Sequence, residues 1–113
     1  MLHNPDCLEI QVSIDKITDY SNYPGWVECS FYDAWNNRHL FIEKIPVVTE
    51  LELTPDDLFP QMIFIKCTKV KQWEDDMGRE IIRATTERPN GIETIDGECE
   101  FDFLREQVRY CRM

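Results

Sequence analysis

Apolar and polar residues alternate along most of this chain, and turn-forming residues interrupt the alternation at short intervals. In LEIQVSI (8–14), Leu8, Ile10, Val12 and Ile14 share one parity and Glu9, Gln11 and Ser13 the other, the pattern of a strand with one buried face. SNYPG (21–25) is a turn sequence, and WVECSFY (26–32) again separates Val27, Cys29 and Phe31 from Trp26, Glu28, Ser30 and Tyr32. DAWNNR (33–38) holds an Asn-Asn pair, whose tolerance of left-handed backbone suits a hairpin turn, so HLFIEKIPVV is predicted to be the return strand. LTPDDLF (53–59) carries the one helix-start signal. Thr54 can cap, Pro55 fits the first helical position, Asp56 and Asp57 complement the dipole, and Pro60 stops the helix after a single turn.

The strand pattern then resumes. MIFIKCTKVKQW (62–73), the turn EDDMG, REIIRATTE (79–87), the turn RPNG, IETI, the Asp96-Gly97 turn and ECEFDF follow in order. LREQVRYC (104–111) fits either a strand or a short helix. Strands at spacings of roughly ten residues predict an all-β fold, a small antiparallel β-barrel or sandwich of about six to seven strands with one short helical turn. A chain of 113 residues predicts one domain spanning 1–113. No basic segment followed by an apolar stretch opens it, and nowhere do about 18 apolar residues run together, so neither a secretory signal nor a membrane span is expected.

The same register places three of the five cysteines. Cys29, Cys67 and Cys99 share parity with apolar neighbours and are expected in the core as small apolar side chains, where thiols are poor nucleophiles. Cys7 and Cys111, near the ends, are not placed by parity. An odd cysteine count without Cys-x-x-Cys or metal-type His spacing speaks against a disulfide framework or a zinc site, and points to a reducing, cytoplasmic setting.

Charge changes the picture more. Twenty-two acidic residues against 12 basic ones give a net charge of −10, which repels phosphate backbones and anionic lipid. Nucleic acid and membrane are therefore not the expected partners. The excess lies mainly in the first 65 residues, where Lys16, Arg38 and Lys44 face eleven acids.

Two surfaces are candidates for binding. In GECEFDF (97–103), burying Cys99, Phe101 and Phe103 leaves Glu98, Glu100 and Asp102 as a row on the opposite face, with neighbouring positions about 7 Å apart. A hard cation needs its oxygen ligands within roughly 5 Å of each other; flexible glutamates could converge that far, but nothing else in the sequence demands it, and no metal is expected. The spacing also matches the carboxylate pair of inverting glycosidases, but any two acids at i and i+2 on a strand match it, and so short a chain has little left to wall a cleft. A solvated strand face explains the row without function, since repulsion at 7 Å in water is only about 0.6 kcal/mol per pair. The second surface is aromatic: Tyr20, Tyr23, Trp26, Tyr32 and Trp35, residue types that supply contact area together with a polar handle.

Catalytic signals are sparse. His3 sits near the chain end and His39 follows the hairpin turn, where Asp33 could orient it, but no nucleophile turn or glycine-rich phosphate loop accompanies them, and no cofactor is indicated. The sequence thus favours an acidic protein-binding domain. Its expected partner is a basic macromolecule, with an inhibitor or immunity-type protein directed at a toxic nuclease as the specific form. The alternative is a structural domain that self-associates through a strand edge or the aromatic surface.

Overall fold

The computed structural model describes residues 5–112; His3 lies outside them. The seven strands are β1 (Cys7–Asp19), β2 (Trp26–Tyr32), β3 (Arg38–Lys44), β4 (Gln61–Glu74), β5 (Glu80–Thr85), β6 (Glu100–Leu104) and β7 (Val108–Tyr110). They form one antiparallel sheet in the order β3-β2-β1-β4-β5-β6, with β7 added on β1, curled into a half-barrel. The fold is all-β, and the choice between barrel and sandwich falls to a single curved sheet. Among the described residues, no helix is long and apolar enough to cross a membrane.

Alternation decides which face is inside. Leu8, Ile10, Val12 and Ile14 of β1, Val27, Cys29 and Phe31 of β2, and Phe101 and Phe103 of β6 are buried in one core cluster with Phe41, Ile65, Cys67 and Ile82. A bulge at Asp15, between the pairs Ile14↔Cys29 and Lys16↔Glu28, shifts the parity of β1 so that Ile17 packs on the core. A second irregularity, at Val70 between Lys69 and Lys71, does the same to β4 and leaves Val70 exposed.

Four expectations about local structure are corrected, the first being IETI (92–95), which forms no strand. The return strand ends at Lys44, and Ile45–Val48 form a short helix, α1, because Pro46 has no amide hydrogen for a ladder while its fixed φ suits a first helical turn. LTPDDLF does not form the helical turn: Asp57 closes it as a tight turn, its carboxylate accepting from the Thr54 amide at 2.7 Å while its own amide donates back to the Thr54 carbonyl at 3.0 Å. The last segment is both alternatives in sequence, one turn of 3₁₀ helix at Arg105–Gln107 and then β7.

The cysteine reading is corrected twice. Cys99 precedes β6 and is half-buried. Cys7 and Cys111 are joined in a disulfide, their Cα atoms 5.4 Å apart, because the antiparallel pairing Leu8↔Tyr110 brings the two ends of the chain side by side. An odd count argues against a framework of bridges. It does not argue against one.

Two backbone contacts draw the free edges of the half-barrel together. The Ala34 amide donates to the Asp102 carbonyl at 2.7 Å, and the Ile95 amide donates to the Leu40 carbonyl at 2.9 Å. The seam between β3 and β6 is thus bridged by loops, and the candidate site lies in it.

Candidate functional site

The site begins with the β2–β3 turn. Asp33 ends the outgoing strand, and its Oδ1 accepts the amides of Trp35 (2.8 Å) and Asn37 (2.9 Å), which folds the chain back; Asn36 takes the left-handed conformation at φ 63°. The other oxygen, Oδ2, accepts from His39 Nε2 at 2.8 Å. Asp33 is 7% exposed. Burial alone would raise its pKa, but hydrogen bonds from His39 and from the Asn37 and Trp35 amides outweigh it and hold the carboxyl below its ordinary value. The His39 ring lies against Phe101 and Phe31, at centroid distances of 4.6 and 5.4 Å, and so continues the aromatic core to the seam.

Opposite the turn stands β6. Arg83 of β5 pairs directly across the ladder with Asp102, and its Nε and Nη2 donate to the two carboxylate oxygens at 2.7 and 3.2 Å. Trp35 Nε1 adds a longer bond to Oδ2 at 3.3 Å. This geometry pushes the Arg83 guanidinium pKa further up, chiefly through its hydrogen bond with Asp102. Asp102 is therefore half-buried and neutralised, which corrects the picture of three equivalent exposed acids. Glu98 and Glu100 remain exposed, and neither forms an ion pair among the described residues. Together with Asp33, Trp35, His39 and Phe101 they border a cleft of about 450 Å³.

The aromatic group does not form one surface. Trp26 pairs with Lys44 at one end of the β2–β3 ladder and Tyr32 with Arg38 at the other, about 20 Å away at roughly 3.3 Å per residue. Tyr23, 92% exposed, belongs to the Trp26 end, where the Lys44 ammonium lies 5.6 Å from the indole. Tyr32 borders a separate groove of about 720 Å³ with the exposed Met62 and Phe64. Of the aromatic candidates, Trp35 alone lines the acidic cleft.

Sequence reading missed Arg83. Its signal was present: an arginine at the outward position between the apolar Ile81, Ile82 and Ala84 of β5 implies a carboxylate across the ladder, but naming that carboxylate requires the β5–β6 register. Among the described residues no group of three or more His, Cys, Asp or Glu side chains is arranged to hold a metal ion. The Asp33–His39 pair could orient a general base toward the cleft, yet no serine, threonine or cysteine lines it as a nucleophile. No protein-family model, curated protein or solved structure matches this chain.

Proposed function

We propose that this chain is a non-catalytic protein-binding domain that docks a basic protein through the β6 edge, in the manner of a cytoplasmic inhibitor or immunity-type protein neutralising a toxic nuclease. The observation that carries this reading is the division within the acidic row: Arg83 and Trp35 occupy Asp102, while Glu100 at the start of β6 and Glu98 just before it stay exposed. The preceding loop extends the same field. Residues 87–100 hold five acids against the single base Arg88, and none of the five is ion-paired among the described residues. Unpaired carboxylates on one edge favour fast, steered association with a positive surface, and Trp35 supplies an aromatic anchor in the cleft it lines with Glu98 and Glu100.

The test uses the tagged chain as bait in a cell lysate, alongside a Glu98→Gln/Glu100→Gln variant. A basic protein retained by the first, retained about tenfold less by the second, and associating more slowly as salt rises is the expected result. Equal retention by both removes the row from the mechanism.

A second reading is favoured by the other groove, where Tyr32, Met62 and Phe64 expose apolar surface on the outer face of the sheet. Self-association there would be only weakly sensitive to salt. Light scattering at low and high ionic strength separates the two.

A further inference from the structure

The two ends of the described chain meet on one strand. β4 pairs along one edge of β1 from Cys7 to Ile14, whereas the other edge is shared: β7 takes Leu8–Ile10, and β2 begins only at Ser13. Among the described residues Gln11 and Val12 have no partner strand on that side, and the groove of about 720 Å³ runs along this gap, lined also by Gln107, Val108 and Arg109. Among the described residues β7 thus pairs with β1 alone, and its Val108 and Arg109 border the groove.

We propose that the Cys7–Cys111 disulfide is a redox-operated clasp: it fixes β7 to β1, and its reduction by a dithiol releases residues 105–112 while the rest of the sheet stays folded.

The remaining fastenings of this segment are a three-pair ladder and individual side-chain contacts. β7 is three residues long; it buries the Val108 side chain and packs the half-buried Tyr110 on the core, with the Lys69 ammonium 5.5 Å from that ring. Arg109 reaches Glu9 at 2.8 Å and its guanidinium lies 3.5 Å from the Phe64 ring centroid, but the arginine is 55% exposed, so these contacts hold only modestly. At the near end Gln107 caps the 3₁₀ turn and donates to the Tyr32 and Asp33 carbonyls at 3.3 and 3.4 Å, long contacts of which the second is part-buried. At the far end the Cys111 amide donates to the Cys7 carbonyl at 3.0 Å, beside the disulfide itself. By contrast, β1 keeps its eight-residue ladder with β4 and its pairing with β2 whether or not β7 is docked.

The bond is also the place where a dithiol acts. Reduction breaks the Sγ–Sγ bond; two electrons and two protons from the dithiol leave a thiol on Cys7 and another on Cys111, and the dithiol closes to its own disulfide. Cys29 and Cys67 do not compete, since burial pushes both thiols up to about 12. Release of β7 would open the edge of β1 from Leu8 through Val12 as one continuous stretch bordering the groove.

Hydrogen exchange read by mass spectrometry tests this on the full chain carrying Cys99→Ser, which removes the half-buried thiol from disulfide exchange. In dithiothreitol, amides of residues 105–112 and of Leu8–Ile10 should exchange about tenfold faster than in the oxidised chain, with the β4–β5 ladder unchanged and protection regained on reoxidation. The Cys7→Ala/Cys111→Ala variant should reproduce the reduced pattern without reductant. Equal protection of residues 105–112 in both redox states overturns the proposal. So does loss of protection in every strand together, in the reduced chain or in the variant, and so does an oxidised chain whose peptide map lacks the Cys7–Cys111 link.

Discussion

Single side chains in this protein are governed by what surrounds them more than by their type. Cys29 and Cys67 are fully buried, and burial, aided for Cys29 by Asp15, Glu28 and Glu43 and for Cys67 by Glu9, pushes both thiols up to about 12. Iodoacetamide at pH 8 should therefore alkylate Cys99 in the native protein and reach Cys29 and Cys67 only after unfolding, as peptide mapping would show; rapid native labelling of Cys67 would contradict its burial. Asp33 is the complementary case. Its folded-state pKa lies below the ordinary 3.8, so its charge contributes stability above about pH 4, and that contribution is lost as the pH falls through the lowered folded value. Asp33→Asn replaces the acceptor facing His39 and should cost about 1–3 kcal/mol at pH 6 in urea unfolding, with the gap from the wild type narrowing below pH 3. Asp19 and Asp75 also have lowered values, but both chains keep them, so the narrowing reports Asp33.

At the scale of elements, period-two alternation was enough to locate the long strands and their inner faces. Val27, Cys29 and Phe31, and again Phe101 and Phe103, are buried as their parity requires. What alternation does not encode is an event that changes the count or competes with a ladder. Pro46 ends β3 and starts α1, the bulge at Asp15 resets β1, and the carboxylate of Asp57 closes a turn where its position in the sequence suggested a helix start. The site was legible in the same partial way. Glu100 and Asp102 do alternate with the buried Phe101 and Phe103, whereas Glu98 lies before the strand beside the half-buried Cys99, and the cross-strand partner that sets Asp102 apart is 19 positions away, beyond any local pattern. Within β6 the inner and outer faces should respond differently to substitution. Phe103 is buried against Phe31 at a centroid distance of 6.0 Å, and Phe103→Ala should cost about 3–5 kcal/mol by denaturant unfolding, whereas Glu100→Gln on the exposed face should stay within about 0.5 kcal/mol. A comparable cost at both positions would mean that Glu100 has a structural partner.

Over the whole molecule, two long-range constraints oppose each other. The net charge of −10 repels itself, and the described ion pairs, several with a largely exposed cation such as Lys16, Arg38 or Arg109, offset that only locally. Raising sodium chloride from about 10 to 300 mM shortens the Debye length from roughly 30 to 6 Å, which screens the repulsion of distant carboxylates more than the contact pairs. The melting temperature should therefore rise with salt, and a fall would show that the contact pairs dominate. The disulfide acts in the other direction and without regard to salt. It closes a loop with a sequence separation of 104, for which the chain-entropy argument gives up to about 4.7 kcal/mol of stabilisation through the unfolded state. The observed loss on reduction should be smaller, about 2–4 kcal/mol, because a released C-terminal segment also regains freedom in the folded state. Urea unfolding of the oxidised and reduced protein at fixed salt measures that loss directly. A domain of this size has roughly 5–15 kcal/mol to begin with, so the reduced chain should remain folded at 25 °C with its transition shifted to lower urea. A reduced protein already unfolded in the absence of urea would place β7 among the elements the fold requires, and not among those it can let go.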